Sequence, residues 1–587
     1  MINIGPPPES AERRARIVVE AYDRFAEGFL AITRRARGRF ERREWRELQA
    51  DTRERLDLYQ HLVEAALAEL AQAGDGAEEP RKAWAQTKPL YCAMARARQD
   101  SELAETFYNS VVRRVLGTVG VDAETEFGDP TRTADGLIDR SFYRRYVPGG
   151  SLAAMLREVF ADSLFTLRDP AADAARVAAE MERLLAERDA PPIERLDLLA
   201  EPFFRGQAAY LIGRVWTGEG FLPLVIALLN PPEGICADAV MMDAREVAGI
   251  FSLSRTYFFH AQPHPRATVK FLGPLLKRPE PELYTALGHK RHGKTELYRH
   301  LRSRLAETGE SFVPAPGVAG LVMIVFTLPN LDLVFKVIRD KPGQPKDTSR
   351  AEVMERYRLV FAHDRVGRLL DAQEFEHLRF PRHRFSDELL GQLLREAGET
   401  VFLDGDTVVI GHAYTERKVV PLDLFLRSRD AAAVRAAVLD YGNAIKELAA
   451  VNIFPGDILL KNFGVKPDGR VVFYDYDELQ LLTQVNFRAM PHTDDVYDEM
   501  SSEPWFYVGE HDVFPEEFPA FIALPEAQRA VFQAVHGDLF TIAFWQGVQE
   551  RHRAGEQIRV LPYRKRLPPL GGPPVAEERA AIGAVAE

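Results

Sequence analysis

Cysteine is almost missing from this chain, with only Cys92 and Cys236 among 587 residues. The two stand far apart and match no zinc or redox spacing, which excludes a disulfide framework and fits a reducing compartment. Long apolar runs are lacking as well. The longest, Val318 to Leu328, falls short of the roughly 20 residues that a membrane-spanning helix needs. The N-terminus offers three prolines and then Glu9, Glu12, Arg13 and Arg14 in place of the apolar stretch of a secretory signal. Basic residues are in deficit, 75 Lys and Arg against 87 Asp and Glu, for a formal net charge of -12, so no general affinity for nucleic acid is expected. One basic run, Arg34, Arg35, Arg37, Arg39, Arg42, Arg43 and Arg46, is interrupted by Glu41, Glu44 and Glu47 and reads as a solvated helix face. The expectation is a cytoplasmic protein with neither nucleic-acid nor membrane partners.

What is present is enough apolar sequence, 46% of residues, to fold, in a chain too long for one core. Val18, Tyr22, Phe25, Phe29 and Ile32 recur at helical spacing, as do Leu56, Tyr59, Val63, Leu67 and Leu70, so the first third is predicted helical. Between about Arg205 and Ala261 the pattern turns to β-type runs, with a hairpin turn at Gly218-Glu219-Gly220. Pro314, Pro316 and Gly317 mark a boundary near residue 310. The predicted fold class is α+β. A mainly helical regulatory domain with a small β insertion (1–310) precedes a bilobed, protein-kinase-like catalytic domain (311–568) and a flexible tail (569–587).

Chemistry concentrates after that boundary. Gly317 and Gly320, in Ala315-Pro316-Gly317-Val318-Ala319-Gly320-Leu321, let backbone N–H groups approach phosphates. Lys336 then interrupts the apolar strand Leu333 to Ile338, and a buried ammonium needs an anionic partner. Glu352 and Glu355 on the following helix are candidates for it, although Ser349-Arg350-Ala351-Glu352 also reads as a capping box. A helix from Ala431 to Ala450 leads into Pro455-Gly456-Asp457-Ile458-Leu459-Leu460-Lys461-Asn462. The Asp-x-x-x-x-Asn spacing is that of a loop whose Asp receives a hydroxyl proton and whose Asn binds metal. A strand from Val471 then ends in Asp475-Tyr476-Asp477, where Asp475 is placed to hold Mg²⁺ between phosphates. The order is that of a kinase that uses ATP with Mg²⁺ or Mn²⁺, without the usual His-Arg before Asp457 or Gly after Asp475-Tyr476. Asp477 replaces that Gly.

A rival nucleotide site, Gly288-His289-Lys290-Arg291-His292-Gly293-Lys294-Thr295, matches the Walker A pattern, but the segment before it is Pro-rich rather than a buried strand. It reads better as a basic loop with Thr295 near a helix start. Downstream of the core, Asp494, Asp495, Asp498, Glu499 and Glu503 precede Trp505, Phe506, Tyr507, Phe514, Phe518 and Phe521, a pattern suited to partner docking.

The stretches Gly317 to Val322 through Lys336, and Asn452 to Asp457 through Asp475-Tyr476-Asp477-Glu478, resemble bacterial isocitrate dehydrogenase kinase/phosphatase. The resemblance implies an enzyme that phosphorylates a serine of isocitrate dehydrogenase and also removes that phosphate, switching flux between the citric-acid cycle and the glyoxylate bypass. It implies AMP as an allosteric effector, ATP bound by Ala315 to Leu321 and Lys336, and a role in activity for Asp371, which the residues alone present only as an acid in a helical segment. Given that second activity, Asp477 in place of the usual Gly is predicted to position a water for dephosphorylation while Asp457 serves the serine hydroxyl. A homodimer is compatible with it. Two alternatives remain: a small-molecule kinase of aminoglycoside-phosphotransferase type, suggested by the Gly-Asp loop, and a pseudokinase scaffold, against which Lys336, Asp457, Asn462 and Asp475 all speak.

Overall fold

A computed structural model of the chain describes residues 9–74, 79–117, 122–128, 142–251, 257–316, 320–344, 346, 348–363, 366–427, 430–491, 506–509, 511–563 and 566–569. They form an α+β protein of two compact units, one reaching Gly309 and the other beginning at Glu310. No described helix is long and apolar enough to cross a membrane.

In the first unit the stripe Val18, Tyr22, Phe25, Phe29 and Ile32 is the buried face of α1 (Glu9–Glu41). It packs with α2 (Trp45–Ala73), α3 (Pro80–Ala95) and α4 (Ser101–Leu116). The face of α2 differs from the apolar stripe in the sequence. Leu56 is exposed, whereas Asp51 and Arg55 are buried beside Val63, Ala66 and Leu70. Asp51 accepts from Arg35 and Arg39, each at 3.0 Å, and Arg42 pairs with Glu44 at 2.7 Å, so the basic run is largely neutralised within its own unit. A six-stranded antiparallel sheet follows, built from β1 (Tyr143–Tyr146), β2 (Arg195–Leu199), β3 (Phe203–Arg205), β4 (Ala208–Thr217), β5 (Gly220–Leu229) and β6 (Cys236–Met241). Between β1 and β2 lie α5 (Leu152–Asp162) and α6 (Pro170–Ala186), and after β6 come α7 (Ala244–Ile250), α8 (Pro265–Leu276), α9 (Glu280–Ala286) and α10 (Lys290–Glu307). The β insertion is therefore larger than its sequence signal and starts earlier. Residues 566–569 also belong here rather than to the catalytic unit: Arg566 pairs with Asp238 at 2.7 Å and the Leu567 N–H donates to the Asp238 carbonyl at 2.7 Å. The tail from residue 570 lies outside the described residues.

The second unit opens with β7 (Val313–Pro314), β8 (Met323–Thr327), β9 (Leu333–Ile338), α11 (Arg350–His363), β10 (Ala372–Pro381), α12 (Asp387–Glu396), β11 (Val401–Asp404) and β12 (Thr407–Arg417). Its sheet runs β10-β12-β9-β8-β7, with β11 pairing β12. Strand alternation sends Phe326 and Phe335, stacked at 5.1 Å, into an aromatic cluster with Phe312, Phe380 and Phe385. The opposite face carries Lys336 and, directly across from it on β12, Tyr414.

After β13 (Val420–Pro421) and α13 (Leu422–Phe425), α14 (Ala431–Ala450) buries Val434, Val438, Tyr441, Ile445 and Leu448. Helices Glu526–His536 and Ile542–Arg553 pack against it, and so does a small sheet of β13, β15 (Phe463–Val465) and β16 (Val471–Phe473); β14 (Ile453–Phe454) pairs separately with Gln480–Leu481. Inside that packing Arg368, only 2% exposed, donates to Asp440 at 2.6 and 2.9 Å, to Glu447 at 2.7 and 2.9 Å and to the Val471 carbonyl at 2.7 Å. The Val471 N–H returns a bond to Asp440 at 2.7 Å, so one buried guanidinium clamps β16 to α14. Asp440→Ala should destabilise the second unit by about 2–4 kcal/mol, because it removes one of the two carboxylates that pair with the buried Arg368 and leaves the Val471 N–H without its acceptor. Urea unfolding followed by a probe in that unit checks this, and a midpoint within error of the parent would contradict it.

Candidate active site

The Lys336 ammonium is buried, ion-paired to Glu416 at 2.8 Å and donating to the Tyr474 carbonyl at 3.0 Å. Glu416 stands on β12 opposite Val334, two residues beyond Tyr414, and therefore on the same sheet face as Lys336. This corrects the expectation for Glu352. That residue closes a capping box, its carboxylate accepting from the Ser349 N–H at 2.7 Å while its own N–H donates to Ser349 Oγ at 3.3 Å. Glu355 is exposed and paired with Arg358 at 3.0 Å. What α11 sends to the lysine pair is instead Tyr357, whose hydroxyl donates to Glu416 Oε1 at 3.0 Å. Burial pushes the Glu416 carboxyl up, and Lys336 and Tyr357 oppose that shift. Glu416 and Tyr357 were missed in the sequence, although an acid interrupting the apolar run of β12 is the same kind of signal that singled out Lys336.

The loop after α14 is turned by Asn452, in the left-handed region at φ 63°. The ribbon of β14 with Gln480–Leu481 then lays Gly456 against the Glu478 backbone. Gly456 has φ 78°, and a Cβ there would overlap the Glu478 carbonyl, which is why glycine stands where the Arg before the catalytic Asp is usual. Asp457 accepts from the Leu459 N–H at 3.0 Å, and Asn462 Nδ2 reaches the Asp457 carbonyl at 3.4 Å. Burial raises the Asp457 carboxyl, the Leu459 N–H draws it down, and Glu478 pushes it up. The Tyr474 N–H donates to the Asn462 carbonyl at 3.1 Å, which sets Asp475 beside Asn462.

Asp371 is not in a helix. It precedes β10, and the residues before it add to β16: Leu369 bridges Phe473, the Leu370 N–H donates to the Phe473 carbonyl at 2.9 Å, and the Tyr476 hydroxyl donates to the Leu370 carbonyl. Asp371 is thereby carried to the edge of the Asp475-Tyr476-Asp477 turn, where its Oδ2 accepts from Gln373 at 3.0 Å. Asp477 is pushed up to about 6 by burial and then by Asp475, against Lys336 and Lys346. Lys346, also unforeseen, pairs with Glu478 from the loop between β9 and α11.

Of the glycine segment, Gly317, Val318 and Ala319 lie outside the described residues. Ala315 N–H donates to the Val325 carbonyl at 2.9 Å, Pro316 follows, the Gly320 carbonyl accepts from Arg339 at 3.0 Å, and the Leu321 carbonyl accepts from the Gly343 N–H at 2.8 Å. These contacts hold both ends of the segment over the β8–β9 hairpin. The Walker-like run has another explanation. It follows the short helix α9, Lys290 already begins α10, and Thr295 lies in the second turn, donating to the Arg291 carbonyl at 3.1 Å. Gly293 is needed because a Cβ would overlap Thr285 and the Pro281 carbonyl of α9. In the docking stretch, residues 492–505 lie outside the described residues; Phe518 is core, while Tyr507 and Phe521 are exposed.

Among the described residues no group of three or more His, Cys, Asp or Glu can hold a metal by itself. Mg²⁺ carried between phosphates needs only one or two carboxylates and keeps its waters. The Asp475 side chain, which makes no hydrogen bond or ion pair among the described residues, and Asn462 Oδ1 fit that requirement. Gly456→Ala should lower turnover of any reaction that uses Asp457 by about a hundredfold, because the loop must shift by a fraction of an ångström or more. Steady-state rates on a variant with parent-like melting check this, and an unchanged rate would contradict it.

Two family models cover the chain. Residues 15–309 match "Isocitrate dehydrogenase kinase/phosphatase (AceK), regulatory domain" and residues 310–565 match "Isocitrate dehydrogenase kinase/phosphatase (AceK) kinase domain". The isocitrate dehydrogenase kinase/phosphatase of Anaeromyxobacter sp. (strain Fw109-5) is 47% identical over 566 residues, 95% of this chain and 98% of its own length. That of Anaeromyxobacter dehalogenans (strain 2CP-C) is 45% identical over 573 residues, 94% of this chain and 97% of its own. With matches of this extent in both units, the chain belongs to the isocitrate dehydrogenase kinase/phosphatase family.

Proposed function

We propose that this protein transfers the γ-phosphoryl group of ATP to a serine of isocitrate dehydrogenase and, at the same site, hydrolyses the resulting phosphoserine, setting cytoplasmic flux between the citric-acid cycle and the glyoxylate bypass. The observation that carries the reading is the Lys336 bond to the Tyr474 carbonyl, which brings the cation of the sheet to the residue before Asp475. The β7–β12 sheet with α11 then serves as the smaller lobe of a kinase-type pair, and the α14 helical part as the larger. Residues 315–321 lie over the nucleotide. Lys336 offsets phosphate charge, held to its task by Glu416 at 2.8 Å. Asp457 receives the serine hydroxyl proton, as a half-buried carboxylate beside the acceptor can. Mg²⁺ or Mn²⁺ held by Asn462 and Asp475 would neutralise charge developing on the phosphate oxygens. Asp477, two residues on and half-buried, orients the water for the reverse reaction, with Asp371 alongside. The first unit would read AMP as effector, and it contains a cavity of about 430 Å³ lined by Phe29, Arg98, Asp100, His264 and His289. Nothing in the geometry favours a small-molecule acceptor.

Labelled ATP and isocitrate dehydrogenase, assayed in both directions, test this. Asp457→Asn should lose phosphorylation by about a hundredfold or more. Asp477→Asn should keep phosphorylation within about threefold while dephosphorylation falls about a hundredfold. Equal loss of both activities in Asp477→Asn would refute the division of labour.

A further inference from the structure

We infer that Tyr357 is a positioning residue for Lys336, acting through Glu416, and that it makes α11 part of the nucleotide-binding machinery although the helix sends no acid to the lysine. The inference rests on the reading of Lys336 as the phosphate-binding lysine.

Its basis is the satisfaction of one buried carboxylate. Glu416 is 1% exposed and its two oxygens face different partners, Oε2 toward Lys336 at 2.8 Å and Oε1 toward the Tyr357 hydroxyl at 3.0 Å. A carboxylate so buried keeps its charge only while both oxygens are supported, and removing one donor exposes the full cost of desolvation. The Tyr357 hydroxyl cannot swing away, because its ring stacks on Tyr414 at 3.7 Å with the planes 8° apart and meets Tyr476 edge-on at 5.1 Å. Tyr414 is the residue paired with Lys336 across the strands, and Tyr476 lies between Asp475 and Asp477. One side chain of α11 thus touches the neighbours of the lysine on one side and of the acids on the other. Burial holds the phenol well above its ordinary titration range, so it stays a donor at any working pH. The acids of α11 that could have taken the direct role are engaged elsewhere, Glu352 in the capping box and Glu355 with Arg358.

Tyr357→Phe removes a single oxygen and keeps both ring contacts. The test is steady-state phosphorylation of isocitrate dehydrogenase by MgATP with Tyr357→Phe, Glu416→Gln, the double variant and Lys336→Met. Tyr357→Phe should raise KM for ATP about fivefold and change kcat by less than about twofold, the scale of one hydrogen bond to a charged group. In the Glu416→Gln background the same substitution should add nothing, because the group it acts through is gone. Tyr357→Phe with the parent's KM would overturn the proposal. So would a fivefold rise that persists in the Glu416→Gln background, which would mark a packing role. Lys336→Met with the parent's turnover would instead remove the reading of Lys336 on which the proposal stands.

Discussion

The buried ammonium of Lys336 joins the two halves of the second unit. It lies between Glu416 on the six-stranded sheet and the Tyr474 carbonyl at the end of the strand that leads to Asp475. A lone charge there would be prohibitive, and even a pair recovers its desolvation only when the remaining hydrogen-bonding capacity is met. That demand explains the environment: a tyrosine hydroxyl on the second Glu416 oxygen, and the Tyr474 and Tyr476 rings 5.5 and 5.8 Å from the ammonium. The sheet's other face has no such duty and fills with stacked phenylalanines.

The acids opposite Lys336 are held by a second buried cation. Arg368 fastens α14 to Val471, and the backbone of residues 368–370 runs beside β16. Asp371, Asp475 and Asp477 all hang from this pair of segments, so their spacing is set by a hydrogen-bonded scaffold and not by loop conformation. Asp457 is set independently, by Asn452 in a left-handed turn and by Gly456 against Glu478. Carboxylates fixed from separate supports can be placed for different tasks, which suits a site that transfers a phosphoryl group in one direction and hydrolyses it in the other.

How much of this was legible in the sequence depended on range. Local patterns were readable: α14 spans the same residues that its stripe marked, and the turn at Gly218-Glu219 joins β4 to β5. Asp457, Asn462 and Asp475 stood out because their spacing is local and their chemistry restrictive. Partnerships across strands were not readable. Glu416 meets Lys336 80 residues later in the chain through β-register, while Glu352, near in sequence, is consumed by its own helix start. Asp371 reads from the sequence as an acid in a helical segment, but Leu369 and Leu370 before it are held by β16 and Ala372 after it begins β10. On α2, Asp51 and Arg55 occupy the buried face because ion pairs, carbonyls and aromatic rings satisfy them, and periodicity counts only apolar residues. The Walker-like run was a true pattern match whose glycine serves helix packing.

The account stands on nucleotide binding at Lys336 and not at the Gly288-to-Thr295 run. Titration calorimetry of ATP with Mg²⁺ against Lys336→Met and Lys294→Met tests this most directly. The account predicts that Lys336→Met weakens ATP binding at least about tenfold, as loss of a charged partner should, while Lys294→Met binds ATP like the parent at the catalytic site. Loss of that binding in Lys294→Met with retention in Lys336→Met would contradict it.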